Sequence, residues 1–300
     1  MKMDKRQKLR LAQFIYRVLR PSRRHMARRF PHLAASRHEG CWEIRWRGRK
    51  IVTSNAWSRL DRIDDAFVVG AGPSMNRQDL SRLSSKPCLL LNGAVKLAHT
   101  GVVDHPLAVV VEDARHMHTN ARAFAELPGT VPFVLSLDAI HGLLYFGGAQ
   151  ALEGRPLYVL DNLEKPHGRA RQLLSTCADL PFARVAHGVG FSTDLERGFF
   201  VCGTVMYAGI QAAYQLGARN LYLVGFDMSN LPRFYDDVTG GAWTGLEKGL
   251  ARVVNAVDLA QQVFRGRQGT IYNCSPVSNI PRSILPHSSI LQSEEEGAER

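Results

Sequence analysis

The chain has 300 residues, of which 45% are hydrophobic and 22% charged, with a formal net charge of +11. These totals suit one large α/β domain, or one domain with additions, and exclude a chain too polar to bury a core. Residues 1–50 hold 16 Lys/Arg against 3 Asp/Glu, leaving 22 basic and 24 acidic side chains elsewhere, so the basicity belongs to an N-terminal arm and not to the body.

Within that arm, residues 8–20 (KLRLAQFIYRVLR) carry a helical pattern. Leu11, Phe14, Ile15, Val18 and Leu19 recur on one face, Lys8, Arg10, Gln13, Arg17 and Arg20 take the other, and Pro21 ends the run. Arg23, Arg24, Arg28 and Arg29 follow. The helix reads either as one packed on the body or as an interfacial helix, with its apolar face in the acyl boundary and its cations on anionic headgroups. The second reading is preferred, since each basic residue near an anionic leaflet is worth about 1 kcal/mol. Nucleic acid is not expected, because the aromatic and glycine-rich features of RNA modules are absent. The expected organisation is an arm over 1–40, a single α/β domain over 41–290 with residues 41–60 as a hairpin extension, and an acidic tail over 291–300. The hairpin is predicted from the alternation of Trp42, Ile44 and Trp46, a turn at Gly48, then Ile51 and Thr53.

Beyond it, apolar runs predict strands at 66–69, 87–91, 107–111, 132–136, 156–160, 220–224 and 270–273, with helices best placed at 203–217 and 246–264. Alternation of this kind implies a mostly parallel, Rossmann-like sheet with helices on both faces. The five cysteines (Cys41, Cys88, Cys177, Cys202, Cys274) show no C-x-x-C and no zinc spacing, which points to a reducing compartment. No apolar run approaches the ~18–20 residues that span a bilayer. The N-terminus lacks an uncharged apolar region, so no secretory signal is expected.

The first strand stops at Gly70-Ala71-Gly72-Pro73-Ser74. Glycines permit close backbone approach, free N–H groups favour an anion, and the first strand-to-helix turn of such sheets is where nucleotides bind. A dinucleotide fingerprint fits badly: Met75 stands where the third glycine belongs, and Asn92 stands near the place of the ribose-binding acid. The third strand runs out into Glu112-Asp113-Ala114-Arg115-His116-Met117-His118. There Asp113 reads as a ribose ligand, a base or a helix cap, and His118 as a general base or an exposed side chain. Thr204, at a helix start, reads as a phosphate donor or an N-cap. Arg233 and Tyr235 offer a cation and a phenol in one loop, and Ser275 follows the last strand in a polar turn.

Taken in order, Gly70 to Ser74, Leu91-Asn92-Gly93, Gly203-Thr204-Val205, the run from Leu216 to Asp227, and Ile271 to Pro276 resemble the bacterial family-42 sialyltransferases. More closely, the chain resembles the third-Kdo transferases of the lipopolysaccharide inner core. With these it shares Asp113, Arg115 and His118, the run Gly190 to Asp194, Gly225 and Asp227, and Arg233 to Asp236. The resemblance covers roughly residues 66–286. It implies a GT-A-like sheet, a CMP-activated 2-keto sugar acid as donor, and inverting transfer. No cofactor or metal is expected, because a CMP-sugar has one phosphate and no diphosphate to bridge. It implies that Gly70, Gly72, Pro73 and Ser74 bind the phosphate and ribose side and that Asn92 contacts nucleotide or donor. Thr204, Tyr235 and Arg233 would hold the phosphate, and Ser275 would sit near the cytidine or the donor carboxylate. The implied acceptor is the Kdo region of a lipid A core at the cytoplasmic face of a Gram-negative inner membrane, reached through residues 8–30. Two departures stand out. Ala71 replaces an Asn of the sialyltransferases, and no His occurs between His187 and His287 where their base lies. Asp113 and His118 are therefore the candidate bases, with Asp227 and Asp236 behind them. Another CMP-sugar as donor, or a non-catalytic nucleotide- or lipid-binding role in core assembly, are the alternatives.

Overall fold

The computed structural model describes residues 3–19, 30–229, 233–234 and 249–292. Helix α1 (Lys5–Leu19) is followed by β1 (Leu33–His38), β2 (Cys41–Trp46) and β3 (Arg49–Thr53), which form an antiparallel three-stranded sheet. β2 and β3 are the expected hairpin. Arg47 and Gly48 both adopt positive φ (52° and 82°), the backbone that matches strand twist across a two-residue turn. β1 lies inside the segment assigned to the arm. Its residues alternate between half-buried and exposed, so it carries little apolar signal of its own.

The body supplies β4 (Asp65–Val69), β5 (Cys88–Leu91), α2 (Lys96–His99), β6 (Ala108–Val111), α3 (Ala114–Ala125), β7 (Phe133–Ser136), α4 (Leu137–Phe146) and β8 (Leu157–Leu160). It continues with α5 (Leu174–Cys177), the hairpin β9 (Ala183–Ala186) and β10 (Val189–Ser192), α6 (Val205–Gln215), β11 (Asn220–Val224), α7 (Leu250–Arg265) and β12 (Thr270–Asn273). All seven predicted body strands form. They make one sheet in the order β12-β11-β4-β5-β6-β7-β8, every neighbour pair parallel. Its inner strands read as unbroken apolar runs because both faces are covered.

Alternate residues of one strand feed the two cores. Ala66 and Val68 join α6, α7 and the β9–β10 hairpin, whereas Phe67 and Val69 join α3, α4 and the three-stranded sheet. α6 lies close because Gly209 has no side chain; a Cβ there would stand 2.6 Å from Val68 Cγ1. The three-stranded sheet docks on α4 through rings. Trp46 meets His141 and Tyr145 edge-on, and His141 Nε2 bonds the Pro31 carbonyl at 3.1 Å. Burial drives the His141 pKa down to about 4.

The chain order reverses at β4, with β5 on one side and β11 on the other. Since the strands are parallel, their C-terminal ends share one edge, and the β4/β11 boundary is the switch point at which such sheets open a crevice. α1 sits beside α3, with Arg6 Nη2 donating to the His118 carbonyl at 3.4 Å. Leu9 is buried, while Leu11, Phe14 and Ile15 are 47%, 63% and 42% exposed. Among the described residues, no helix is long and apolar enough to cross a membrane.

Candidate active site

At the switch point the β4 loop closes onto the end of β11. Gly70 N–H donates to the Val224 carbonyl (2.8 Å) and Gly72 N–H to the Gly225 carbonyl (3.0 Å). Ser74 is buried. Its N–H donates to Asp227 Oδ2 (2.7 Å) and its hydroxyl to Asp227 Oδ1 (2.5 Å). A Cβ on Gly72 would lie 2.5 Å from Asp227 Oδ2 and 2.5 Å from the Gly225 oxygen, so no side chain fits there. The expectation of free backbone donors is therefore not met at Gly70, Gly72 and Ser74: their N–H groups are spent joining β4 to β11. Pro73 opens the short 3-10 turn Pro73–Arg77, where its missing N–H costs nothing. Phe234 N–H donates to the Ala71 carbonyl at 3.3 Å, which carries the Arg233 segment over the same loop.

Other predicted residues reach the same edge. Asn92 directly follows β5 with φ +47°, and its Oδ1 is buried without a hydrogen-bond partner among the described residues. Thr204 caps α6, its hydroxyl accepting from Met206 N–H at 3.3 Å. That end of α6 faces the rim, because Met206 Cε lies 3.0 Å from where a Gly70 Cβ would be. Ser275 follows β12 and is 4% exposed. Its N–H donates to Asn273 Oδ1 (3.0 Å) and its hydroxyl accepts from Val277 N–H (3.3 Å). Tyr235 and Asp236 lie outside the described residues.

The two candidate bases are engaged otherwise. Asp113 is the N-cap of α3 and accepts from Arg115 N–H (2.8 Å) and Arg115 Nε (2.6 Å). Burial acts to raise its carboxyl, but the Arg115 bonds outweigh this and hold it below the usual carboxylate range, where it is a weak base. His118 packs its ring on Phe146 at 4.9 Å, at the far end of α4. Burial, then the Arg6 charge, lower its pKa. His116 of the same stretch has a buried Nε2 with no partner among the described residues. Burial, then the Arg233 charge, take its pKa to about 4.

Sequence reasoning passed over Glu112, which directly follows β6. Its carboxylate makes no hydrogen bond or ion pair among the described residues, and only its carbonyl is bonded, by the Ser136 hydroxyl at 2.5 Å. Burial, then the negative charges of Asp113 and Asp138, push its carboxyl up to about 8. It opens on a cavity of about 80 Å³ at the ends of β6, β7 and β8, lined also by Asp138, Asp161, Asn162, Lys165, His167 and Phe199. Burial raises Asp161 to about 6 despite the bond it accepts from His167 N–H at 3.0 Å. The available signal was position: the first polar residue after a buried parallel strand faces the crevice, and the next one begins the helix. Among the described residues no group of three or more His, Cys, Asp or Glu side chains is arranged to hold a metal ion.

A parallel sheet with its chain reversal at a glycine loop, and polar side chains gathered along one edge, belongs to the doubly wound α/β class. Residues 169–290 match the family model of the 3-deoxy-D-manno-octulosonic acid transferase WaaZ. The match takes in Gly190 to Asp194, Thr204, Asp227 and Ser275; the β4, β5 and β6 ends lie outside it. The chain is also similar to probable 3-deoxy-manno-octulosonic acid transferases of Salmonella typhimurium and Escherichia coli. The first is 22% identical over 245 residues (78% of this chain, 90% of the relative), the second 23% over 263 (81% and 88%). Among solved structures, the sialyltransferase CstII with trisaccharide acceptor and CMP aligns with TM-score 0.42 and 14% identity over 77% of this chain and 88% of that one. CstII of Campylobacter jejuni with CMP-3FNeuAc aligns with TM-score 0.42 and 13% identity over 77% and 89%.

Proposed function

We propose that this chain is a glycosyltransferase of lipopolysaccharide core synthesis that moves Kdo from CMP-Kdo to the Kdo region of a lipid A inner core. The observation that carries the reading is the convergence of Asn92, Thr204, Arg233 and Ser275 on the edge where β4 meets β11, in a chain that matches a Kdo-transferase family model. The buried Asn92 Oδ1, without a partner among the described residues, is an acceptor in want of a donor, such as a ribose hydroxyl or the cytosine amino group. Thr204, at the N-terminus of α6, and the Arg233 cation suit the single phosphate of the leaving CMP. With no diphosphate to bridge, these groups suffice without a metal, and attack opposite the leaving group inverts the anomeric carbon. Gly70, Gly72, Pro73 and Ser74 serve this site by fixing the wall of the crevice. Asp227 fixes its other side.

The lipid partner is read from α1. Its apolar residues Leu11, Phe14 and Ile15 turn away from the body, next to Lys5, Arg6, Lys8 and Arg10. This suits a peripheral station on an anionic leaflet, where the acceptor lies.

The test is CMP release from CMP-Kdo with and without a detergent-dispersed Kdo–lipid A acceptor, in EDTA. Acceptor-dependent release is expected. Release that needs a divalent ion overturns the metal-free mechanism. Preference for a CMP-nonulosonate over CMP-Kdo in direct competition reassigns the donor. CMP binding without turnover makes the chain an accessory.

A further inference from the structure

We propose that Glu112 is the general base of the transfer, and that the cavity beside it receives the edge of the acceptor sugar bearing the attacking hydroxyl. This rests on the glycosyltransferase reading above. Among the acids at the rim, Asp113 is tied to Arg115 and Asp227 to Ser74. Glu112 is the one whose carboxylate has no partner among the described residues, and it lines a half-open cavity. β6 lies two strands from β4, which puts Glu112 about 10 Å along the edge from the switch point, the reach of one sugar with its phosphate. The cavity offers what a hydroxylated ring takes: Asp138, Asp161 and Asn162 for hydroxyls, Phe199 for a C–H face, and Lys165 at the exposed mouth for an acceptor carboxylate.

The step balances. The acceptor oxygen forms its bond to the anomeric carbon as the bond from that carbon to the phosphate oxygen breaks, and the electron pair leaves on CMP. The hydroxyl proton passes to the Glu112 carboxylate and then to water. A base of raised pKa in a half-dry site is strong once ionised. The charges around it are mixed. Asp113 and Asp138 hold it up and Arg252 of α7 pulls it down, Cys202 lies near it, and Asp161, Lys165 and His167 share the cavity.

The experiment compares wild type, Glu112→Gln and Glu112→Asp for transfer to the dispersed acceptor, CMP affinity and thermal midpoint. Glu112→Gln should lower kcat by about 10²- to 10⁴-fold with CMP affinity and folding kept, and Glu112→Asp should recover part of the rate. In wild type, kcat/KM should rise with pH toward about 8. That limb should vanish in Glu112→Gln and move to lower pH in Asp138→Asn. A Gln variant that transfers at the wild-type rate overturns the proposal alone. So does one whose CMP binding and thermal midpoint collapse with its activity while the Asp variant restores all three together. Wild type that neither transfers nor releases CMP overturns the glycosyltransferase reading, and this proposal with it.

Discussion

Glu112 has a cost that can be measured apart from catalysis. Its pKa of about 8 in the folded chain stands above the ordinary glutamate value of 4.5, so between those values the folded state holds a proton that the unfolded state has released. Stability is thus full below the unfolded pKa and falls as pH rises through the folded one. Glu112→Gln removes this loss. Its thermal midpoint should exceed that of wild type at about pH 9 and match it at about pH 4, by differential scanning calorimetry. Equal midpoints at both ends would mean that the group is not desolvated. At this scale the sequence was legible in part. It singled out Asp113 and passed over its neighbour Glu112, and in the structure Asp113 is the N-cap of α3, since Asp before Ala-Arg at a helix start is N-cap chemistry. It also read the two glycines as ligand contacts. Gly72 is glycine because Asp227, 155 residues later in the sequence, occupies the space of its side chain.

Each body strand is a short apolar run bounded by polar or turn residues, which is why all seven were visible at the level of elements. α4 was not, since Leu137–Phe146 is buried on most sides and lacks the one-sided pattern that marks a surface helix. β9 and β10 escaped because four residues do not establish alternation. α6 was visible through its small residues, and its cap joins two roles in one side chain. Thr204→Ala should cost about 0.5–2 kcal/mol in a urea titration, as a lost N-cap does. If Thr204 also meets the phosphate, the same change weakens CMP binding and Thr204→Ser restores both. Unaltered CMP affinity in the Ala variant would confine Thr204 to capping.

Helix α1 carries basic side chains and an exposed apolar row together. If Leu11, Phe14 and Ile15 serve a bilayer, replacing all three by Ser should release the protein from anionic vesicles into the supernatant. The thermal midpoint should not change, because these side chains already stand in water. A lowered midpoint with vesicle binding intact would make α1 a packing element after all. The sequence showed the amphipathic pattern but not which way it faces. Leu9, on the opposite side of the helix from the predicted stripe, is the buried residue, so the stripe faces away from the body.

The Ser74–Asp227 link ties together positions 153 residues apart, and β4 pairs with β11 only after β5 to β8 have been laid down. During synthesis on the ribosome, the first five strands can therefore assemble while one margin of β4 waits bare for a segment not yet made. Such a margin invites pairing with a neighbouring nascent chain, and closing it late is slow. Pulse-labelled hydrogen exchange during refolding should find amides of β6 and β7 protected before those of β11. Simultaneous protection of all of them would show that the sheet forms in one step, and a product truncated before Asp227 would then lack any stable half.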